Sequence, residues 1–213
     1  MKIYFNANNK AHLEVLRDCG VKNVLLSHRY SYANITKFKD FDSVMVVAGT
    51  KGNAEKYWEF LRSKREYYDY ATQFDVYYDM EETIKYYNKE KEQGIDWTLP
   101  VLQENYLQHI SRIRPEPDSY VCLGEIHGKL ETEDQIRKLP ANLKYHGLAK
   151  GKYIQDRTFS SIDTSAWISA AMSKKTEIWS SNTTYSMFFG EKGRGMIPQL
   201  RHSCEVYKDN MNK

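Results

Sequence analysis

The feature that most constrains this chain is an eightfold alternation. Short apolar, β-branched and aromatic runs are each followed by a longer stretch, most of helical periodicity. The pattern predicts strands at 3–6, 23–27, 44–48, 71–77, 98–103, 119–123, 143–146 and 159–163. Helices are predicted at 10–19, 54–64, 81–93, 105–114, 132–139 and 164–175. Runs such as VMVVA and YVCL lack polar alternation, as strands covered on both faces require. Strands alternating with helices call for parallel crossovers, and eight strands favour a barrel over an open doubly wound sheet. The expected fold is therefore α/β, a compact (β/α)8 TIM-type barrel. The connections after the second and seventh strands are too short for long helices, so those layers should be irregular. At 213 residues the chain sits near the lower size limit of such a barrel, which usually needs about 250.

Local signals support these boundaries. Gly20 and Gly94 follow their helices at the position where a left-handed residue is favoured. Thr132 and Gln135 have capping-box spacing, and Pro140 follows that helix. No repeat or linker interrupts the chain. One barrel domain is expected over residues 1–178, with a basic C-terminal extension over 179–213 packed on or beside it. Seven Lys and Arg fall between positions 174 and 213.

Composition narrows the setting. Charged residues at 28% and apolar residues at 41% describe a folded protein rather than a disordered one. A net charge of +3 permits a polyanionic partner without demanding one. The 17 tyrosines suit a wet cleft or a stacking surface as well as a core. Cys19, Cys122 and Cys204 lie far apart, which argues against a zinc site built on paired cysteines and points to a reducing, cytoplasmic setting. No apolar run approaches the roughly 20 residues that span a bilayer. No dinucleotide or Walker glycine pattern follows any strand, and AGTKGN (48–53) reads as a turn. No cofactor or metal is expected.

In a parallel barrel, chemistry gathers at the C-terminal ends of the strands. Those ends carry Ser27 and His28, Gly49, Asp75, Gln103, then Gly124, Glu125 and His127, then His146, and last Asp163. Carboxylates, a carboxamide and histidines converging on one mouth suit the recognition of a polar ring and displacement at a glycosidic carbon. Each residue also has a plainer role open to it. Asp163 precedes Thr164, Ser165 and a helix, so it equally suits an N-cap. Asp75 ends an apolar strand, where a buried carboxylate needs a partner. Gln103 suits a strand cap, and His127 and His146 suit polar core positions.

At these residues the chain resembles the tRNA-guanine transglycosylase superfamily, especially the phage and bacterial branch that inserts 7-deazaguanine bases into DNA. The resemblance covers about residues 23–170. It is carried by LLSHRY (25–30), FDVYYDM (74–80), the Gly-Ile and Pro-Val of 94–101, CLGE (122–125), YHGLAKG (145–151) and above all FSSIDTSAW (159–167). It implies an enzyme, a base-exchanging pentosyltransferase, whose partners are guanine-containing DNA and a free 7-deazaguanine. Asp163 would be the nucleophile at C1′, with Asp75 as a second catalytic carboxylate. Gln103, Gly124, Glu125, His127 and His146 would face the base. Lys192, Arg194 and Arg201 of the extension would meet phosphates.

Two departures bear on that expectation. The family's third strand ends in Asp-Ser-Gly, whose Asp moves protons to and from the base, whereas this chain has Val47-Ala48-Gly49. Asp42-Ser43 lies a strand length earlier. The family's cysteine-rich zinc site is also missing, which argues against a full tRNA enzyme. The alternatives are a non-catalytic or repurposed barrel that binds a nucleotide or nucleic acid, and an N-glycosidase that releases a base without inserting another.

Overall fold

A computed structural model describes residues 1–28, 40–49, 52–124, 130–148, 158–173, 175–180, 183–188 and 196–211. Eight strands and six helices fall where the alternation expects them. They are β1 (Lys2–Ala7), α1 (Lys10–Asp18), β2 (Asn23–Ser27), β3 (Ser43–Val47), α2 (Ala54–Ser63), β4 (Tyr70–Ala71) and α3 (Met80–Glu92). Then come β5 (Val101–Leu102), α4 (Tyr106–Ile113), β6 (Tyr120–Leu123), α5 (Leu130–Arg137), β7 (Lys144–Gly147), β8 (Ser161–Thr164) and α6 (Ala166–Ser173).

The strands form one curled, all-parallel sheet in the order β4-β3-β2-β1-β8-β7-β6-β5. Its two end strands are joined not by a ladder but by a single parallel bridge, Thr72 to Leu99. Leu99 N donates to Ala71 O at 2.7 Å and Gln73 N to Leu99 O at 2.8 Å.

Alternation along each strand sends side chains to opposite faces. On β1, Phe5 and Ala7 join the outer core with Leu16, Val24, Val46, Trp58, Phe60 and Trp167. Tyr4 faces inward, against Leu25 and Met45. A second outer core gathers Leu102, Tyr106, Val121, Leu123, Ile136 and Ile162. The helices start where short polar side chains accept the first free amides. Asn9 accepts from His12 N at 2.9 Å, Asn53 from Lys56 N at 3.0 Å and Asp79 from Glu82 N at 2.9 Å. Gly20 (φ 68°) and Gly94 (φ 72°) close α1 and α3 in the left-handed region.

Three expectations need correction. The strands predicted at 71–77 and 98–103 are each two residues long, the first because side chains take the amides that a strand would offer its neighbour. Phe74 N donates to Glu90 Oε1 at 2.7 Å and Val76 N to Thr83 Oγ1 at 2.9 Å. The helix predicted from 132 begins at Leu130. Gln135 spends its carboxamide on a neighbour, its Oε1 accepting Tyr106 N at 2.8 Å at the start of α4. Finally, the boundary drawn at 178/179 falls inside a strand. A hairpin, β9 (Lys175–Ser180) with β10 (Thr183–Phe188), is followed by α7 (Met196–Met211). Helix α7 docks on α1 and α6. Ser203 Oγ donates to Trp167 O at 2.7 Å, and Lys208 Nζ to Cys19 O at 2.6 Å. Among the described residues no helix is long and apolar enough to cross a membrane.

Candidate active site

Asp163 lies on β8 opposite Tyr4 in the register, only 3% exposed. The first amide of the following helix, Ala166 N, is taken by Thr164 Oγ1 at 3.2 Å. On the neighbouring strand His146 is fully buried, with Nε2 3.6 Å from Asp163 Oδ1. Its other nitrogen, Nδ1, shares a hydrogen bond of 2.9 Å with Ser161 Oγ. The edge of the Tyr4 ring packs against the imidazole, centroids 5.6 Å apart, and Tyr4 OH is bonded to Ser43 Oγ at 2.9 Å. The imidazole is thus held by Ser161 and Tyr4, and its buried Nε2 makes no hydrogen bond although the carboxylate lies near it.

The second carboxylate, Asp75, stands in the loop after β4. Gln103 Nε2 donates to Asp75 Oδ2 at 3.0 Å and to Val76 O at 3.1 Å. Gln103 Oε1 accepts Tyr78 N at 2.7 Å. Burial raises the Asp75 pKa, and the Gln103 bond opposes that rise. Gly124 packs on Gln103, and a Cβ built there would lie 3.3 Å from Gln103 Cγ and from Leu102 O. Between the two carboxylates lies Cys122, paired in register with His146. Burial, then Asp163, then Asp75 push its thiol pKa up, so the sulfur stays protonated.

These contacts join Asp75, Gln103, Gly124, Cys122, His146 and Asp163 into one arc from β4 to β8. Gln103 acts here as the strut of the β4–α3 loop, with both ends of its carboxamide committed. Glu125, His127, Lys192 and Arg194 lie outside the described residues. Arg201 is paired with Asp18 at 2.8 Å. Asp18 ends α1, which runs back from the mouth, so this pair sits at the opposite rim. His28 turns towards α2, its ring 5.3 Å from Tyr57 and 4.9 Å from Phe60, and burial lowers its pKa. Val47 and Gly49 place no acid at the end of β3. Asp42 lies at the far end of that strand, 3.8 Å from Lys22.

Sequence reasoning missed three participants. Asn6 lies two residues beyond inward-facing Tyr4 on β1, and its Oδ1 is buried with no hydrogen-bond partner. The end of the first strand carried the signal, an Asn closing an apolar run. Ser161 and Cys122 were hidden because small residues inside strands look like packing.

No family model matches the chain, and no curated protein matches it. Among solved structures, one described as "Native KDPGal structure" aligns over 100% of this chain and 95% of its own, with a TM-score of 0.55 and 7% identity. At that identity the likeness concerns the fold alone.

Proposed function

We propose that this protein is a transglycosylase-like enzyme that exchanges guanine in DNA for a 7-deazaguanine base through Asp163. The observation that carries the reading is the buried Asp163–His146 pair on the inner face of the sheet, at the end of β8. The reading takes the curled sheet as a compact (β/α)8 barrel. Paired residues followed once round all eight strands, across the Thr72–Leu99 bridge, return to β1 displaced by eight positions. Eight is the shear of such barrels.

The target nucleotide leaves the base stack to reach the mouth. The Asp163 carboxylate attacks C1′ and the bond to guanine N9 breaks, leaving the sugar esterified to the protein. Guanine departs with the bonding pair and takes up a proton from solvent water. The incoming base gives up a proton to solvent water as its nitrogen attacks C1′ and frees the carboxylate. His146 holds Asp163 in line for the attack. Asp75, kept in place by Gln103, faces the ring edge together with the Gly124 backbone.

Nucleoside mass analysis of DNA incubated with the protein and a 7-deazaguanine base tests this. Exchange is expected, along with a covalent adduct that Asp163→Asn abolishes. His146→Gln, which alters the group that holds Asp163 in line, should lower turnover by about 10²-fold. Absence of exchange and of adduct in the wild type would refute the proposal.

One observation favours a second reading. No acid stands at Val47-Ala48-Gly49 to manage the base protons, which suits an N-glycosidase or a barrel that binds without turnover. Release of free guanine with no acceptor base present identifies the former. Calorimetric binding without turnover identifies the latter.

A further inference from the structure

The loop that carries Asp75 holds a feature that the exchange mechanism does not use. Tyr77 and Tyr78 stand at the mouth with 43% and 65% of their surface exposed. Among the described residues the only other exposed large apolar side chains are Met1 and Leu107. The two rings are in contact, with centroids 3.9 Å apart and planes at 44°. Asp79 N donates to Val76 O at 3.0 Å, closing a four-residue turn with the tyrosines at its centre. Tyr78, third in that turn, has φ 62°, a conformation that glycine adopts freely and bulky side chains seldom do.

The strained turn is over-determined by its surroundings. Gln103 Oε1 holds Tyr78 N while Gln103 Nε2 holds Asp75, so one buried carboxamide fixes both the carboxylate and the tyrosine backbone. Strain of this kind persists where neighbouring structure enforces it, and it concentrates at ligand clamps. A core role does not account for rings that face solvent, and a simple turn would be better served by glycine. What the arrangement presents is a rigid aromatic surface beside the entrance. Aromatic side chains next to a nucleic-acid path stack on bases of any identity, because every base has a π-face.

We propose that Tyr77 and Tyr78 form a stacking platform for a nucleobase that flanks the nucleotide entering the barrel. The proposal rests on the nucleic-acid reading above and adds to it a second, sequence-tolerant subsite. The platform holds the neighbouring base while the target base turns inward, and Gln103 keeps the two subsites in register.

The test is fluorescence anisotropy with a labelled single-stranded oligonucleotide containing one guanine. A matched oligonucleotide lacks the base beside that guanine. Tyr77→Ala and Tyr78→Ala should each weaken binding of the intact oligonucleotide by about tenfold, and the Phe variants should bind like the wild type. On the abasic oligonucleotide the Ala variants and the wild type should bind alike. Tyr78→Gly controls for folding, because it relieves the left-handed strain. It should keep or raise the Tm and still lose the affinity. If the wild type binds and the Ala variants bind equally well, the platform is refuted and the nucleic-acid reading stands. If the wild type binds neither oligonucleotide, both fall.

Discussion

Glu90 belongs to the run Lys89, Glu90, Lys91 and Glu92 of α3, whose composition describes a solvated face. Its carboxylate is fully buried instead. One oxygen accepts Trp58 Nε1 at 2.8 Å and Phe74 N at 2.7 Å, and the other accepts Thr98 Oγ1 at 2.7 Å. This residue ends β4 early and so creates the loop that carries Asp75. Burial raises its pKa, the three donors oppose the rise, and nearby Asp75 adds to it. A carboxyl whose pKa is higher folded than unfolded binds its proton more tightly in the native state. The stability it contributes is present below the ordinary carboxylate range and is lost as pH climbs through the raised value. Asp75 has the same sign. Glu90→Gln keeps the acceptor for Trp58 and Phe74 and removes the charge, so its urea-unfolding stability should decline less than the wild type's from about pH 5 upward. Glu90→Ala strands the donors and should cost about 3 kcal/mol. Identical pH slopes for Glu90→Gln and wild type would overturn this account.

Helix α7 shows how an element is held. Its ion pair, Arg201 with Asp18, is half exposed on both sides, and such pairs contribute roughly 0–1 kcal/mol. Its buried face is the stronger anchor. Cys204 and Ser203 are sealed, and Ser203 bonds the carbonyl of Trp167. Trp167 itself is fully buried, lies edge-on to His12 at 5.3 Å and donates from Nε1 to Asn6 O at 3.1 Å. Trp167→Ala should therefore cost about 3–5 kcal/mol in chemical denaturation, and Arg201→Ala under about 1. Comparable losses for the two would mean that charge, not burial, seats the helix. The elements of residues 2–173 were largely legible in sequence because both periodicities, two for strands and 3.6 for helices, are strong there. Helix α7 was not, since its run from Met196 to Met211 mixes polar and apolar residues without a clear stripe, and a basic tail explained the composition equally well. In the site, position along the strands gave Asp75, Gln103, Gly124, His146 and Asp163. Their partners came only from long-range contacts that no local pattern encodes. Gln103 illustrates the gap: its place after the fifth strand was legible, while the bonds that make it a strut reach partners 25 to 28 residues away in the chain.

At the scale of the whole molecule the sheet is strong on one side and thin on the other. Strands β1, β2 and β3 pair over three to five residues each, with Val24, Leu26 and Val46 fully buried. Strands β4 and β5 meet through the Thr72–Leu99 bridge and the two hydrogen bonds of Leu99 with Ala71 and Gln73. That junction lies directly below the loop of Asp75, Tyr77 and Tyr78, so whatever loosens one loosens the other. Local opening follows the thinnest hydrogen bonding rather than the average. Amide hydrogen exchange should therefore release the Gln73 and Leu99 amides well before those of Val24, Leu26 and Val46. A difference of about 2 kcal/mol in opening free energy would appear as roughly thirtyfold faster exchange. A ligand that stacks on the tyrosines or bonds Asp75 tightens the same loop, and should slow exchange at Gln73 and Leu99 while leaving β2 unchanged. Equal protection across the sheet in the free protein would show that the junction is as firm as the ladders, and that the mouth does not depend on it.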